Sequence, residues 1–245
     1  MKPFFTYYGS KWRAAGSYPA PLCETIIEPF AGAAGYSVRH YRRKVILIDL
    51  DPVVCGVWRY LISASSAEIE ALPLLRDGES VEDLSVSQEA RWLIGFCCTK
   101  GSAKPNKTLS AWGRDPKYSA QFWGEKVRER IARQVEKIKH WTIIEGDYKE
   151  APNVEACWFI DPPYEVAGKH YRKKFDKYSE LAKWCKSRRG QAIVCEAKGA
   201  KWLQFKDHAT IKANESKHGK KVSHEVIWTS GLGQRPLFAG MESGR

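Results

Sequence analysis

Residues 25–63 alternate between short apolar runs and helical spacing, and this alternation constrains the fold more than any other feature. The run 25–30 meets a proline and is followed by a turn of small residues at 31–35 and a helix-like segment at 36–41. A second run, 44–48, ends in the sequence DLDP at 49–52, and 53–63 again has helical spacing. A strand–helix–strand–helix order of this kind favours an α/β fold with a parallel, doubly wound sheet.

The chain changes character between residues 65 and 141. Helix-like segments at 66–75, 87–97 and 119–140 enclose a loop at 99–117 that is rich in Lys, Gly, Ser and Pro. Strands resume at 142–144, 156–160, 191–195 and 222–228. We therefore interpret 65–141 as a small helical insertion and expect 1–64 and 142–245 to form one Rossmann-like domain.

The excess of positive over negative charge lies entirely in the later part of the chain. Residues 1–99 carry 10 Lys and Arg against 11 Asp and Glu, whereas residues 100–245 carry 30 against 17. The excess is concentrated in 100–140 and 168–189. A basic surface supplies the salt-dependent part of nucleic-acid affinity, although solvated helix faces can carry the same composition.

Cysteine usage and hydropathy exclude several classes of protein. The seven cysteines are scattered, without a C-x-x-C pair or a histidine at metal-ligand spacing, so we expect reduced core thiols and no metal. No run approaches the roughly 18 apolar residues of a membrane span. We expect a soluble, cytoplasmic protein without a membrane partner.

Small or acidic residues follow three successive strands. Gly32 and Gly35 would let a ligand approach the backbone closely, and an acidic residue after the second strand, Asp49 or Asp51, suits ribose hydroxyls. Asp147 follows the strand at 142–144 and adds a carboxylate beside an aromatic ring. Neither G-x-G-x-x-G nor a phosphate-binding loop is present, so these positions favour an adenosine-containing ligand without a pyrophosphate.

The tetrapeptide Asp161-Pro162-Pro163-Tyr164 ends the apolar run 156–160. Proline fixes its own φ and pushes the preceding residue toward extended geometry, so the Asp161 carboxylate and the Pro162 carbonyl should be rigid acceptors. They suit an NH2 group beside a flat ring, with Tyr164 stacking on that ring. An exocyclic amine of a nucleobase fits this description, whereas a plain Pro-Pro turn with a surface tyrosine is the simpler alternative.

Five motifs together resemble one enzyme family. In chain order they are FTYYGSK at 5–11, EPFAGAAG at 28–35, IDLDP at 48–52, GDY at 146–148 and DPPY at 161–164. Their kind and order are similar to those of the Dam-like, α-class DNA adenine N6-methyltransferases, prokaryotic or phage enzymes that use S-adenosylmethionine. Tyr7 stands where that family commonly has Trp, Ser10 where it has Gly, and Asp51 where it has Asn.

The resemblance implies a role for each matching position. Asp161, Pro162, Pro163 and Tyr164 would be catalytic and would act on an adenine extruded from double-stranded DNA. The positions assigned to S-adenosylmethionine are Tyr7, Lys11, Glu28, Pro29, Phe30, Gly32, Ala33, Ala34, Gly35, Asp49, Leu50, Asp147 and Tyr148. The resemblance also leaves open a restriction nuclease as a partner.

Basic residues beside the catalytic motif are the candidates for DNA contact. Those in the loop 99–117 are Lys100, Lys104, Asn106, Lys107 and Arg114, and those after the motif are Lys169, Arg172, Lys173 and Lys174. Arg, Lys and Asn are the side chains that pair with base edges and phosphates. A surface loop without a ligand is the alternative interpretation of 99–117.

Other functions stay open at this point. An RNA adenine N6-methyltransferase or a DNA cytosine N4-methyltransferase would use the same acceptors, and the charge does not separate DNA from RNA. A small-molecule or protein amine methyltransferase would not need the basic excess. A nucleic-acid-binding protein that kept the fold without catalysis is the alternative from another class.

Overall fold

The computed structural model describes residues 1–166, 175–212 and 222–230. Its strands are β1 Thr25–Glu28, β2 Lys44–Asp49, β3 Thr142–Glu145, β4 Ala156–Ile160, β5 Gly190–Ala197, β6 Lys206–Lys212 and β7 Val222–Ser230. Its α-helices are α1 Gly35–Arg39, α2 Pro52–Ser63, α3 Ser66–Glu70, α4 Gln88–Cys97, α5 Ala111–Arg114, α6 Glu125–Val135 and α7 Tyr178–Lys186. Short 3-10 turns lie at Val81–Asp83, Ser119–Gln121, Glu136–Ile138 and Tyr148–Glu150.

The strands form one mixed sheet in the order β3-β2-β1-β4-β5-β7-β6. Strands β1 to β5 are parallel, as predicted, whereas β7 runs antiparallel to both β5 and β6. The prediction of a wholly parallel sheet is therefore wrong at this edge. Only nine residues separate β6 from β7, and a parallel pair needs a crossover of a dozen or more.

Helices cover both faces of the sheet, which makes the fold doubly wound. Ile26, Leu47 and Phe159 face one side, where α1, α2, α4 and α6 complete a hydrophobic core. Their strand neighbours Ile27 and Ile48 face the other side, where α7 packs. Residues alternate between the two cores because successive side chains of a strand point to opposite faces.

The segment 65–141 packs into the first of these cores. Trp123, Ile131 and Val135 are buried beside Trp58 of α2. The helix predicted over 119–140 begins only at Glu125, because the chain is still extended at Phe122. There Trp123 is buried and its Nε1 donates to the Pro73 carbonyl at 2.9 Å.

The structure differs from the sequence prediction at the end of β1 and in the presence of β6. The first strand stops at Glu28 rather than at residue 30, because the chain turns at Pro29 and Phe30. Strand β6 was not predicted, since its sequence KDHATIK is polar and charged. Charged residues are typical of an edge strand, where they discourage pairing with another chain.

Three further observations concern thiols, hydropathy and metal-binding side chains. All seven cysteines are free, and six of them are buried, as expected for core residues. Within the part of the chain that the structure describes, no helix has the length and apolar character needed to cross a membrane. Over the same residues, no group of three or more His, Cys, Asp or Glu side chains has the arrangement of a metal site.

Candidate active site

A cavity of about 710 Å³ opens at the carboxyl ends of the parallel strands. The chain runs from β1 outward to β2 and β3, and then returns to place β4 on the other side of β1. Ligands of open α/β sheets bind at such a switch point. The predicted residues on its wall are Tyr7, Lys11, Glu28, Pro29, Phe30, Gly32, Gly35, Asp49, Leu50, Asp147, Tyr148, Asp161 and Pro163.

The turn after β1 is held against the end of β2. Gly32 has φ +45°, and its N–H donates to Asp49 Oδ2 at 2.9 Å. A Cβ at this position would lie 3.0 Å from the Tyr7 ring. The turn therefore requires glycine for its conformation and for the close approach of Tyr7.

Asp49 is a half-buried carboxylate that organises two turns. Its Oδ1 accepts from the Asp51 N–H at 2.9 Å, while Oδ2 accepts from Gly32. Burial raises the pKa of Asp49 to about 6, although these hydrogen bonds oppose the shift. Asp51 caps α2 by accepting from the Val53 N–H at 3.0 Å, and it also lines the cavity.

The N-terminal segment reaches the cavity across the start of α1. A Cβ at Gly35 would lie 2.4 Å from the Trp12 nitrogen and 2.9 Å from the Lys11 carbonyl carbon. Glycine at the start of this helix therefore allows the backbone of residues 11–12 to cross directly above it. The crossing sends the Lys11 side chain into the interior, where it is 7% exposed.

An aromatic wall closes the cavity on the β3 side. Phe30 stacks on Tyr148 with ring centroids 5.5 Å apart, and Phe175 lies edge-on to both. Asp147 begins the turn before Tyr148, where it accepts from the Lys149 N–H at 3.0 Å. The wall thus presents flat apolar surface beside a carboxylate.

Asp161 follows the last residue of β4 and pairs with Lys11. The Lys11 Nζ lies 3.1 Å from Asp161 Oδ1 and 3.4 Å from Glu225 Oε1 of β7. Burial raises the pKa of Asp161 to about 6, with Lys11 opposing the shift and Glu225 adding to it. Because Oδ1 is enclosed and the residue lines the cavity, Oδ2 is the oxygen available to a ligand.

Four predicted residues are not on the cavity wall. Ala33, Ala34 and Pro162 are buried behind it. Tyr164 is half-buried, with Lys11 Nζ 4.7 Å from its ring centroid and its hydroxyl donating to Glu225 Oε1 at 3.3 Å. Stacking of Tyr164 on a base therefore stays a prediction.

The loop 99–117 borders the cavity through Ala103. The Tyr8 N–H donates to the Ser102 carbonyl at 3.1 Å, which holds the loop against the N-terminal segment. Lys104 and Arg114 are exposed, and so is Trp112 beside them.

The remaining predicted DNA contacts divide into two groups. In the loop, Lys107 pairs with Glu82 at 2.9 Å, Lys100 donates to Gln121, and the Asn106 N–H donates to the Gly95 carbonyl at 3.0 Å. The candidates after the catalytic motif lie outside the described residues; they are Lys169, Arg172, Lys173 and Lys174.

Sequence reasoning missed the contribution of β7. Glu225 is 5% exposed and reaches the Asp161–Lys11 pair. The signal was present in the strand, since Glu225 alternates with Val226 and shares a face with Ile227, which packs in the first core. A charge at an inward-facing strand position indicates a buried partner.

Comparison with protein-family models finds no match, and comparison with curated proteins finds none either. Among solved structures, the chain is similar to the rRNA methyltransferase aviRa of Streptomyces viridochromogenes, with 15% identity, coverage of 93% of this chain and 87% of that one, and a TM-score of 0.42. A dimethyladenosine transferase from Plasmodium falciparum has 11% identity, coverage of 92% and 62%, and a TM-score of 0.37. The glycopeptide N-methyltransferase MtfA, complexed with S-adenosylmethionine, has 10% identity, coverage of 91% and 67%, and a TM-score of 0.37. Such distant likeness says nothing about what this chain binds; its strand order, with helices on both faces, makes the fold α/β and Rossmann-like.

Proposed function

We propose that the chain is an S-adenosylmethionine-dependent DNA adenine N6-methyltransferase. One observation carries the proposal: the Asp161 carboxylate lies on the wall of the same cavity as the β1 turn, Asp49 and the aromatic wall. A group that accepts hydrogen bonds from an amine therefore lies beside a site suited to an adenosine-containing cofactor.

The cavity fits the cofactor in size and in chemistry. Its volume of about 710 Å³ is in the range of small-molecule sites. The Gly32 turn permits close backbone approach, and Asp49 and Asp51 offer acceptors at the end of β2, where ribose hydroxyls are bound in such folds. Asp147 and the ring of Tyr148 suit the amino group and face of an adenine. When bound, S-adenosylmethionine would supply an electrophilic methyl group.

Asp161 would act on the amine that receives the methyl group. The amine lone pair of adenine is delocalised into the ring, so it is a poor nucleophile. A hydrogen bond from the amine to Asp161 Oδ2 would favour a pyramidal nitrogen and stabilise its developing positive charge. The proton can leave after the transfer, so Asp161 orients the amine and need not deprotonate it first.

Charge and exposed aromatic surface support a nucleic-acid substrate. The exposed side chains Lys104, Arg114 and Trp112 belong to the loop that meets the cavity at Ala103. Basic groups supply phosphate affinity, and an exposed indole can stack on an unpaired base. Because the amine of a paired adenine is inaccessible inside a duplex, the base must be extruded to reach Asp161.

Transfer of a labelled methyl group tests the proposal. We expect label in duplex DNA, and we expect Asp161→Ala to abolish transfer while cofactor affinity, measured by calorimetry, stays within a few-fold. Asp207→Ala is the matched control, because Asp207 is an exposed carboxylate that pairs with Lys198, and neither residue lines the cavity.

Substrate controls separate the other candidates. RNA, duplexes of G·C pairs without adenine, and free adenosine are offered in parallel, since the same acceptors would serve an amine in each. If only one of these became labelled, that molecule rather than DNA adenine would be the substrate. Near-normal turnover in Asp161→Ala would refute the role of this carboxylate.

A further inference from the structure

Glu225 belongs to a cluster of buried and half-buried polar side chains, two of which, Lys11 and Asp161, line the cavity. The cluster joins three distant parts of the chain: Lys11 and Tyr18 of the N-terminal segment, Asp161 and Tyr164 after β4, and Glu225 of β7. Lys11 is 7% exposed and Glu225 is 5% exposed. Charges this deeply buried are costly unless their geometry is satisfied, so each contact constrains the others.

The Lys11 ammonium lies between two carboxylates. Its Nζ is 3.1 Å from Asp161 Oδ1, 3.4 Å from Glu225 Oε1 and 3.0 Å from the Gly9 carbonyl oxygen. The contact with Gly9 is a hydrogen bond, whereas the contacts with the two carboxylates are ion pairs. Glu225 thus fixes where Lys11 can lie, and Lys11 holds the inner oxygen of Asp161.

Glu225 is itself held by two phenols. The Tyr18 hydroxyl donates to Oε2 at 2.5 Å, and the Tyr164 hydroxyl donates to Oε1 at 3.3 Å. Burial raises the pKa of both phenols well above the usual range, so both stay protonated and act as donors. Both carboxylate oxygens therefore have partners, and the side chain is fixed.

The reversed strand explains why a residue of β7 can reach this position. Strand β7 pairs with β5 so that Glu225 lies opposite Ala197, next to the carboxyl end of β5. Strand β5 in turn neighbours β4, which leads into Asp161. The antiparallel direction thus carries a carboxylate to the edge of the sheet where the cavity opens.

We infer that Glu225 is a positioning residue: together with Lys11 it holds the inner oxygen of Asp161 and leaves Oδ2 facing the cavity. This inference rests on the proposed function only in the role given to Asp161. It also gives Lys11 a different task from the one predicted from the sequence, because the ammonium is committed to carboxylates of the chain.

Removing either charge should change the titration of Asp161 in a defined direction. Glu225 raises the pKa of Asp161 and Lys11 lowers it. The other groups that act on the cluster are Tyr164, Tyr18 of the N-terminal segment, Glu28 of β1 and Cys195 of β5. Neutral Gln at 225 would leave Lys11 to Asp161 alone, so the pKa of Asp161 should fall, whereas Lys11→Met should raise it.

The experiment follows Asp161 directly by carbon-13 NMR. Protein labelled with [13Cγ]aspartate is titrated without cofactor or substrate, and the Asp161 signal is assigned by its loss in Asp161→Asn. We expect Glu225→Gln to lower the midpoint by roughly one pH unit or more and Lys11→Met to raise it by a similar amount. Glu196→Gln is the matched control, since Glu196 is equally buried on β5 and binds the Trp202 indole instead.

The outcomes separate this inference from the proposed function. An unchanged Asp161 midpoint in Glu225→Gln, or shifts of the same sign in both variants, would overturn it. Should Glu225→Gln fail to fold by circular dichroism, the rise in Lys11→Met decides the question, and no rise overturns the inference. A further outcome is that the two variants shift the Asp161 midpoint in opposite directions while the wild-type protein methylates no nucleic acid. That result would support the positioning role and refute the proposed substrate.

Discussion

Substitution of Gly35 by alanine should disturb the active site through the backbone rather than through lost chemistry. The added Cβ would lie 2.4 Å from the Trp12 nitrogen, about 1 Å closer than ordinary contact, which begins at 3.4 Å. The contacting atoms are backbone, so they cannot rotate away. Residues 11–12 must shift by a similar distance, which would stretch the 3.1 Å contact between Lys11 and Asp161 beyond 4 Å.

The energetic cost follows from two opposing effects. Overpacking a well-packed site costs about 1–3 kcal/mol, and a clash with backbone belongs at the upper end. Alanine is favoured over glycine in a helix by about 0.5–1 kcal/mol, which offsets part of this cost. We therefore expect a loss of about 2 kcal/mol in the free energy of unfolding, together with a rise in the pKa of Asp161.

Urea denaturation measures the loss in the free energy of unfolding, and the NMR titration measures the rise in the pKa of Asp161. Gly16→Ala is the matched control, because its Cβ would meet only the flexible end of Arg39 at 3.1 Å. We expect this control to change stability by less than about 0.5 kcal/mol. Equal stability of the two variants would refute the argument that residues 11–12 are held by their crossing over α1.

Three further predictions concern pH and DNA contact. The rate of methyl transfer should fall as pH drops through about 6, because burial raises the pKa of Asp161 to about 6 and protonation removes its acceptor; a pH profile of kcat/KM without this acid limb would contradict the assignment. Burial raises the pKa of Glu28 from 4.5 to about 8, so folding retains a proton that the unfolded chain releases, and stability falls between these values. The fall should be about 1.4 kcal/mol per pH unit in the free energy of unfolding, measured by urea denaturation at pH 5 to 9. Glu28→Gln keeps an acceptor for the Ser37 N–H and should remove this dependence on pH. In the loop 99–117, Lys104→Ala should weaken binding to all DNA sequences alike and lower the salt dependence of the affinity by about one unit of slope. Arg114→Ala should cost about 1–3 kcal/mol of binding free energy on the preferred site and relax sequence specificity. Unchanged binding in both variants would place DNA contact elsewhere.

The sequence predicted the strands that carry strong local patterns. Strand β4 has the bounds expected from its apolar run at 156–160, because every residue of that strand is buried. The turn at 31–35 was predicted from its small residues, and its glycine at 32 does have a positive φ. These features depend on local chemistry, so a single sequence reveals them.

Long-range partners were not predictable in the same way. The Asp49 carboxylate looks like a ligand-binding residue in the sequence, yet both of its oxygens accept backbone N–H groups of neighbouring turns. Lys11 likewise pairs with Asp161, 150 positions away, while it also lines the cavity. Such partners depend on which strands adjoin, and the reversal of β7 was not visible in the residue pattern.

The hydrogen bond between Tyr18 and Glu225 joins the segment before β1 to β7, across 207 positions of the sequence. A ribosome delivers the strands in sequence, so the nascent chain holds Lys11 and Asp161 well before it contains Glu225. During that interval the pair of Lys11 and Asp161 has no carboxylate from β7 beside it. If the proposed function holds, the arrangement around Asp161 is thus completed only when β7 has been synthesised, and a chain that stops before β7 would lack the Glu225 contact.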